Sequence, residues 1–315
     1  MNERLSDEEL ALLALGELLR ESGYRFITPT PATNALVNAR TLNRTAKSLI
    51  DVFGWSRPFG LNILPTRIAD LADQAKILDH DAPLWRSAVR FSSLGQHLFV
   101  HTAHPTTSPD AVFFGPDTYR FARVLSAVSA NWHLPARVRL IDIGCGSGAG
   151  GIHLSRLLEP RADIELVLGD INPQALRLAR VNAALNTCRA TVVESDVLNG
   201  IQGQADIIIA NPPYLVDGAQ RAYRHGGGEF GGALSVRILS EGLARLRHGG
   251  RLVLYTGSAV VDGVDTFLEA VKPALDRSGR SYTYEEIDPD VFGEELTEKS
   301  YARADRIAAV ALVVG

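Results

Sequence analysis

The sequence predicts an α/β protein, a mostly parallel sheet covered by helices, preceded by a small helical region. Three observations predict it. From residue 116 onward, apolar strand-like runs alternate with amphipathic helical ones, and such alternation folds as parallel strands joined by helical crossovers. The run at 138–143 passes through a glycine turn straight into a helical pattern, as ligand-binding strand-to-helix turns do. Before residue 85 the periodicity is helical, broken by "ITPTPATN" and "GWSRPFG", which are loop punctuation.

Taken in order, the opening "MNERLSDEELALLALGELLRESG" carries acids where a secretion signal needs bases. It reads as a capped helix over 6–22, with Ser6 as N-cap, Glu9 closing a capping box and Gly23 ending it. Further helices are expected at 32–53 and 66–79, then a hairpin over 88–102 around Ser-Leu-Gly-Gln. Strands follow at 138–143, 164–169, 190–194, 205–210, 251–256, 281–287 and 306–314, with helices at 117–130, 149–159, 173–186, 233–247 and 262–276. The last strand follows a loop with no crossover helix, so it is expected to insert antiparallel. The expected division is a helical substrate-recognition domain at 1–85, a β-hairpin linker at 86–115 and a catalytic domain at 116–315.

Apolar residues make up 46% of the 315 and charged residues 22%, with net charge −4. This is ordinary globular composition with no general attraction for nucleic acid. Residues 36–68 are locally basic, with Arg40, Arg44, Lys47, Arg57 and Arg67 against Asp51, and read as a solvated helix face, with a contact patch as the second reading. The two cysteines, Cys145 and Cys188, lack metal-ligand spacing and suit a reducing compartment. No run of ~20 apolar residues is present, so no membrane span is expected, and the expected location is the cytoplasm. The tryptophans at 55, 85 and 132 read as core.

In "VRLIDIGCGSGAG" (138–150) an apolar strand meets an acid, then glycines that open a helix. Gly144, Gly146 and Ala149 also satisfy the dinucleotide fingerprint, with Asp170 downstream. Asp142 tilts the reading. A carboxylate ahead of the first glycine is poor company for a pyrophosphate but engages an ammonium, such as that of the methionine part of S-adenosylmethionine. Asp170 ends a second strand, placed to accept from ribose hydroxyls. Asp196 follows a third, where it can take the exocyclic amine of adenine. Ligands of open α/β sheets lie at such carboxyl ends.

Through "DIGCGSG", "GDINP", "SDV" and "NPPY", the stretch from about 115 to 315 resembles the class I S-adenosylmethionine-dependent methyltransferases. The resemblance implies a Rossmann-like, seven-stranded sheet with a reversed last strand. It also implies a cofactor, yielding S-adenosylhomocysteine as product, held by Asp142, Gly144, Cys145, Gly146, Gly148, Asp170, Ile171, Asn172, Asp196, Val197 and Asn211, with no metal.

"IIIANPPYLVDG" (207–218) ends a buried-type strand in an amide fixed by two prolines. Methyl transfer to a planar nitrogen is an in-line displacement by a nucleophile whose lone pair is delocalised. Asn211 offers a carbonyl acceptor, and the backbone carbonyl of Pro212 a second. Together they can hold both hydrogens of an –NH₂ group and aim its lone pair. Pro212 and Pro213 fix φ and donate no N–H, and Tyr214 offers a flat face for a planar acceptor. Positioning of this kind supplies rate without a metal or base.

Asn-Pro-Pro-Tyr marks methyltransferases acting on nitrogen, and the layout is similar to the HemK/PrmC type of protein glutamine N5-methyltransferase. "FFGPDTYRF" (113–121) stands where that family has Pro-Arg-Pro-x-Thr-Glu; Pro116, Asp117 and Thr118 remain, but the arginine and glutamate are absent. The resemblance implies a protein glutamine as acceptor. The alternatives are a small molecule or peptide-like natural product, or an adenine or guanine amino group in rRNA or DNA. Residues 1–115 hold 11 basic and 12 acidic residues, whereas a nucleic-acid-binding module carries a basic excess.

A nicotinamide oxidoreductase would leave Asn211–Tyr214 unexplained. A binding module that has lost catalysis would not need the intact motif. Two further stretches stay open. "RAYRHGGGEFGGALS" (221–235) is either a flexible loop closing over substrate, through Tyr223, Arg224, His225 and Glu229, or a plain connector. "DPDVFGEEL" (288–296) is read first as a solvated loop and second as a border of the substrate cleft.

Overall fold

A computed structural model describes residues 4–218, 221 and 223–315. The first three residues of the opening acidic segment, and Ala222 of the glycine-rich connection, lie outside them.

The capping box at Ser6 is present: its Oγ accepts from the Glu9 N–H at 3.2 Å and Glu9 Oε2 accepts from the Ser6 N–H at 2.8 Å. It opens α1 (Asp7–Glu21), followed by α2 (Pro31–Asn38), α3 (Leu49–Phe53) and α4 (Thr66–Gln74). The single helix expected over 32–53 is therefore two helices and a 3-10 turn at Thr41–Asn43. Ser48 starts α3 afresh by accepting from the Asp51 N–H, a local cap that outcompetes continuation.

The helix expected to run to 79 stops at Gln74, where Lys76 takes φ +53°. Beyond it lies an unforeseen hairpin of β1 (Leu78–Asp81) and β2 (Leu84–Ser87). The basic stretch is not one helix face. Arg40, Arg44, Lys47 and Arg67 are exposed, but Arg57 is buried and paired with Asp51 and Asn38. Of the tryptophans, Trp132 is buried while Trp55 and Trp85 are half-buried.

The second hairpin, β3 (Val89–Leu94) with β4 (His97–Thr102), turns through Gly95 at φ +60°. The first helices share one core with this hairpin and with the later helix at 173–185. Polar clamps reinforce that contact. Asn182 Oδ1 accepts from the Val100 N–H at 2.7 Å, and its Nδ2 donates to Val100 O and Ser147 O, each at 2.8 Å. A buried asparagine thereby satisfies a strand edge that would otherwise be unpaired and fixes the hairpin to the glycine turn.

The rest alternates as expected: α5 (Pro116–Ser129), β5 (Arg137–Ile143), α6 (Ala149–Leu158), β6 (Asp163–Asp170), α7 (Pro173–Leu185), β7 (Ala190–Glu194), β8 (Ala205–Ala210) and α8 (Ala233–Arg245). Then come β9 (Leu246–Val261), the two-residue β10 (Val264–Asp265), α9 (Thr266–Ser278), β11 (Tyr282–Asp288) and β12 (Arg306–Val314). The sheet order is β11-β12-β9-β8-β5-β6-β7, with β10 paired on β9.

Strands β5 to β9 are mutually parallel, and β12 lies antiparallel to β9 and β11. This is a Rossmann-like, mostly parallel sheet of seven long strands with the last one reversed. Because β5 to β8 run the same way, their carboxyl ends meet on one edge. The chain crosses from β5 to either side, so that edge is the switch point where such sheets bind ligands. No helix among the described residues is long and apolar enough to cross a membrane.

Candidate active site

A cavity of about 470 Å³ opens at that edge, within the size range of small-molecule sites. Its first wall is the turn from β5 into α6. Gly144, Gly146 and Gly148 take φ of +64°, +53° and +76°, backbone that only glycine enters without strain. A Cβ built on Gly144 meets no atom within 4 Å. The missing side chain leaves room for a ligand, not for protein, and this fits a cofactor laid along the turn.

The strand-end acids differ sharply in setting. Asp142 is 2% exposed, and its Oδ2 accepts from the Gly151 N–H at 2.7 Å. Burial pushes its carboxyl up to about 7 against the lowering effect of Gly151, with nearby Asp170 adding to the rise. Asp170 accepts from Gly146 N–H at 2.8 Å through Oδ2 and from Asn172 N–H at 2.9 Å through Oδ1. Burial raises it too, against those backbone donors. Asp196 sits two residues beyond β7 and is held end-on by Arg237 at 2.8 and 2.9 Å. The guanidinium hydrogen bond lowers its pKa.

Other residues of the expected cofactor set play backbone or shelf parts. Cys145 is buried, and its N–H donates to Gly169 O at 3.0 Å while the thiol lies in the core. Burial raises that thiol well above its ordinary value. Asn172 caps α7 by accepting from Gln174 N–H at 2.9 Å and donates to Asp110 O at 2.8 Å, so its amide is structurally committed. Ile171, 58% exposed, stands as an apolar shelf on the cavity wall. Val197 holds φ +54° at the foot of the Asp196 loop.

On the far wall β8 ends at Asn211, half-buried, whose carboxamide takes no hydrogen bond among the described residues. Pro212, Pro213 and Tyr214 follow it along the cavity. Tyr214 is only 6% exposed, so it is less open a platform than its sequence position implies. Its hydroxyl donates to Asp117 Oδ2 at 2.7 Å, and its ring meets Phe292 edge-on at 5.9 Å. Burial and the facing Asp117 carboxylate hold that phenol well above its ordinary pKa.

The glycine-rich connection is a packed cradle and not a free loop. Leu215 N–H donates to Arg224 O at 3.1 Å, and Gly226 N–H returns to Leu215 O at 2.9 Å. A side chain at Gly226 would collide with Gly231 O and Pro213 O, and one at Gly231 with Tyr214 O. Tyr223 and Arg224 line the cavity, while Glu229 is exposed, outside the lining, and paired with Arg303 at 3.5 Å.

Sequence reasoning missed several walls. Thr30–Ala32 and Ala111–Phe113 come from the part of the chain before α5, and Leu234 and Ile238 from α8. Phe113 and Tyr223 face each other, centroids 6.2 Å apart and planes within 10°. The segment 288–296 follows the second of its two readings, bringing Asp290, Val291, Phe292 and Glu294 to the cavity in place of a solvated loop. An isolated phenylalanine in an acidic run was the only signal for it. The charged wall residues are six acids (Asp117, Asp142, Asp170, Asp196, Asp290, Glu294) and two arginines, Arg120 and Arg224. Both arginines are already paired, with Asp117 and Asp288, and with Glu295.

Residues 124–262 match the sequence model of the Methyltransferase small domain family. The chain is 36% identical over 127 residues to the "Release factor glutamine methyltransferase" of Deinococcus radiodurans, covering 37% of this chain and 44% of that protein. It is 32% identical over 149 residues to the "Ribosomal RNA small subunit methyltransferase C" of Shewanella loihica, covering 46% and 40%. It thus spans less than half the length of these curated relatives. Among solved structures, a tRNA m1G37 methyltransferase from M. jannaschii is similar at TM-score 0.47 and 16% identity, covering 72% of this chain and 56% of that one. The stretch at 124–262 is thus similar to a methyltransferase domain, and the relatives that share it are methyltransferases.

Proposed function

We propose that this protein transfers a methyl group from S-adenosylmethionine to the nitrogen of a planar carboxamide, a glutamine side chain of a protein or peptide-like acceptor. The observation that carries the reading is Asn211. Its uncommitted carboxamide faces the same cavity as the strand-end acids. On this reading Gly144, Gly146, Asp142, Asp170, Ile171 and Asp196 hold the cofactor, which supplies an electrophilic methyl on a sulfonium.

Asn211 Oδ1 and the Pro212 carbonyl accept the two hydrogens of the acceptor –NH₂. This fixes the nitrogen and directs its lone pair along the displacement line. The bound cofactor would supply the methyl and leave as S-adenosylhomocysteine, and the acceptor nitrogen would give up one proton to water. Tyr214 and Phe292 border the acceptor plane. On this reading orientation is the dominant contribution, because the two acceptors at Asn211 and Pro212 fix the nitrogen in line with the methyl.

Charge supports a protein acceptor over a nucleic acid. A phosphate chain threading this cavity would meet Asp290 and Glu294, which pair with no cation among the described residues, while both wall arginines are already paired with carboxylates, the opposite of an electrostatic funnel. The names of the relatives keep a second reading in play, a base amino group in rRNA, for which Tyr214 and Phe292 would supply the aromatic contact.

Methyl-labelled cofactor incubated with lysate tests the assignment. Label that survives nuclease and is lost to protease supports the glutamine reading. Label lost to nuclease transfers the assignment to a nucleobase, and label confined to low mass to a metabolite.

A further inference from the structure

Asp117 is the second residue of α5, where the free N–H groups of a first helical turn favour a carboxylate. It is buried and gathers three donors, two of them from distant parts of the chain. Oδ2 accepts from the Tyr214 hydroxyl at 2.7 Å, and Oδ1 from the Tyr255 hydroxyl at 2.9 Å and Arg120 Nη1 at 3.0 Å. Arg120 then reaches the other way, its Nη2 donating to Asp288 Oδ2 at 2.9 Å. Asp288 ends β11 and begins the connector that carries Phe292 into the cavity.

The Tyr214 ring is therefore constrained on three sides. One face lies on Gly257 of β9, where any Cβ would collide with the ring. Its edge meets Phe292 at 70°. Its hydroxyl is pinned to Asp117. A phenol held by packing alone keeps freedom to pivot about its own axis, and a charge-assisted hydrogen bond removes it.

We infer that Asp117 is a positioning residue for the transfer. Through Tyr214 it sets one wall of the acceptor site, and through Arg120 and Asp288 it registers Phe292 against that wall. The inference rests on the N-methyltransferase reading. It also gives "GPDT" a purpose where the glutamine methyltransferases carry an arginine and a glutamate that this chain lacks. Asp117 touches neither reacting atom; it acts through Tyr214.

The test is a double-mutant cycle, D117N, Y214F and D117N/Y214F, scored two ways. Initial rates of label transfer from methyl-labelled S-adenosylmethionine are measured on lysate of cells deleted for this gene, so that every acceptor class counts. Affinity for S-adenosylhomocysteine is measured by calorimetry on the same preparations. Each single substitution is expected to slow transfer on the order of 10–100-fold. The double variant is expected to be no slower than the slower single, with cofactor affinity within about twofold throughout.

A D117N rate near that of the unaltered chain overturns the inference. So do losses that multiply in the double variant, or cofactor affinity that falls in step with rate, which marks a merely structural role. If D117N does not fold, Y214F decides alone, because it removes the pinned hydroxyl and leaves Asp117 with Tyr255 and Arg120; an unchanged rate then overturns the inference. Absence of transfer by the unaltered chain sinks the methyltransferase reading itself, and is distinguishable from every outcome above.

Discussion

Asp170 braces the glycine turn: its carboxylate holds the Gly146 N–H at 2.8 Å from the end of the neighbouring strand. Asp170, which we propose meets the cofactor ribose, thus also fixes the loop on which the rest of the cofactor would lie. Asp170→Ala removes both contacts, at a cost on the order of 1.5–3 kcal/mol in S-adenosylhomocysteine affinity. Calorimetry checks this, and an affinity within about twofold of the unaltered chain removes Asp170 from the site.

Asp142 makes a prediction about pH. Its carboxyl is raised to about 7 in the fold but ionises near 4 in an unfolded chain. Between those values the folded state holds one more proton than the unfolded state. Its contribution to stability therefore falls as pH rises across that window, by on the order of a few kcal/mol. Asp142→Asn has no such proton, so its stability relative to the unaltered chain should rise between about pH 5 and about pH 8. Urea unfolding at both values checks the sign. An ammonium brought to Asp142 favours the carboxylate, so S-adenosylhomocysteine binding near pH 6.5 should release a proton, seen as an enthalpy that depends on the buffer.

The glycine-rich connection separates a packed cradle from a mobile lid. Gly226→Ala and Gly231→Ala force a methyl into the Pro213–Tyr214 backbone and should destabilise by about 1–3 kcal/mol while depressing transfer. Gly232→Ala meets open space at φ −84° and should behave like the unaltered chain. Thermal melts of the three variants check it; equal tolerance at all three positions favours the lid.

Legibility depends on how far each signal travels along the chain. The parallel strands announced themselves because buried strands are continuous apolar runs, and the glycine turn because left-handed backbone demands glycine. The reversed last strand was readable from its missing crossover. The hairpin at 78–87 was not, because "LDHDAPLWRS" shows no alternation and most of it stays exposed or half-buried. Nor was the partner of Tyr214, since Asp117 is 97 positions away and Tyr255 is 138 positions from Asp117. Local pattern names the acids at strand ends. Whether each is open, braced or paired, as Asp196 is by Arg237, depends on helices that only the fold brings near.

The central claim, that Asn211 holds an acceptor nitrogen beside a bound cofactor, is tested most directly by Asn211→Ala. The measurement pairs calorimetry with S-adenosylhomocysteine and the rate of label transfer to lysate acceptors on one preparation. Affinity should stay within about twofold while the rate falls by roughly 10²-fold or more. Transfer at the unaltered rate, or affinity lost in proportion to rate, would contradict it.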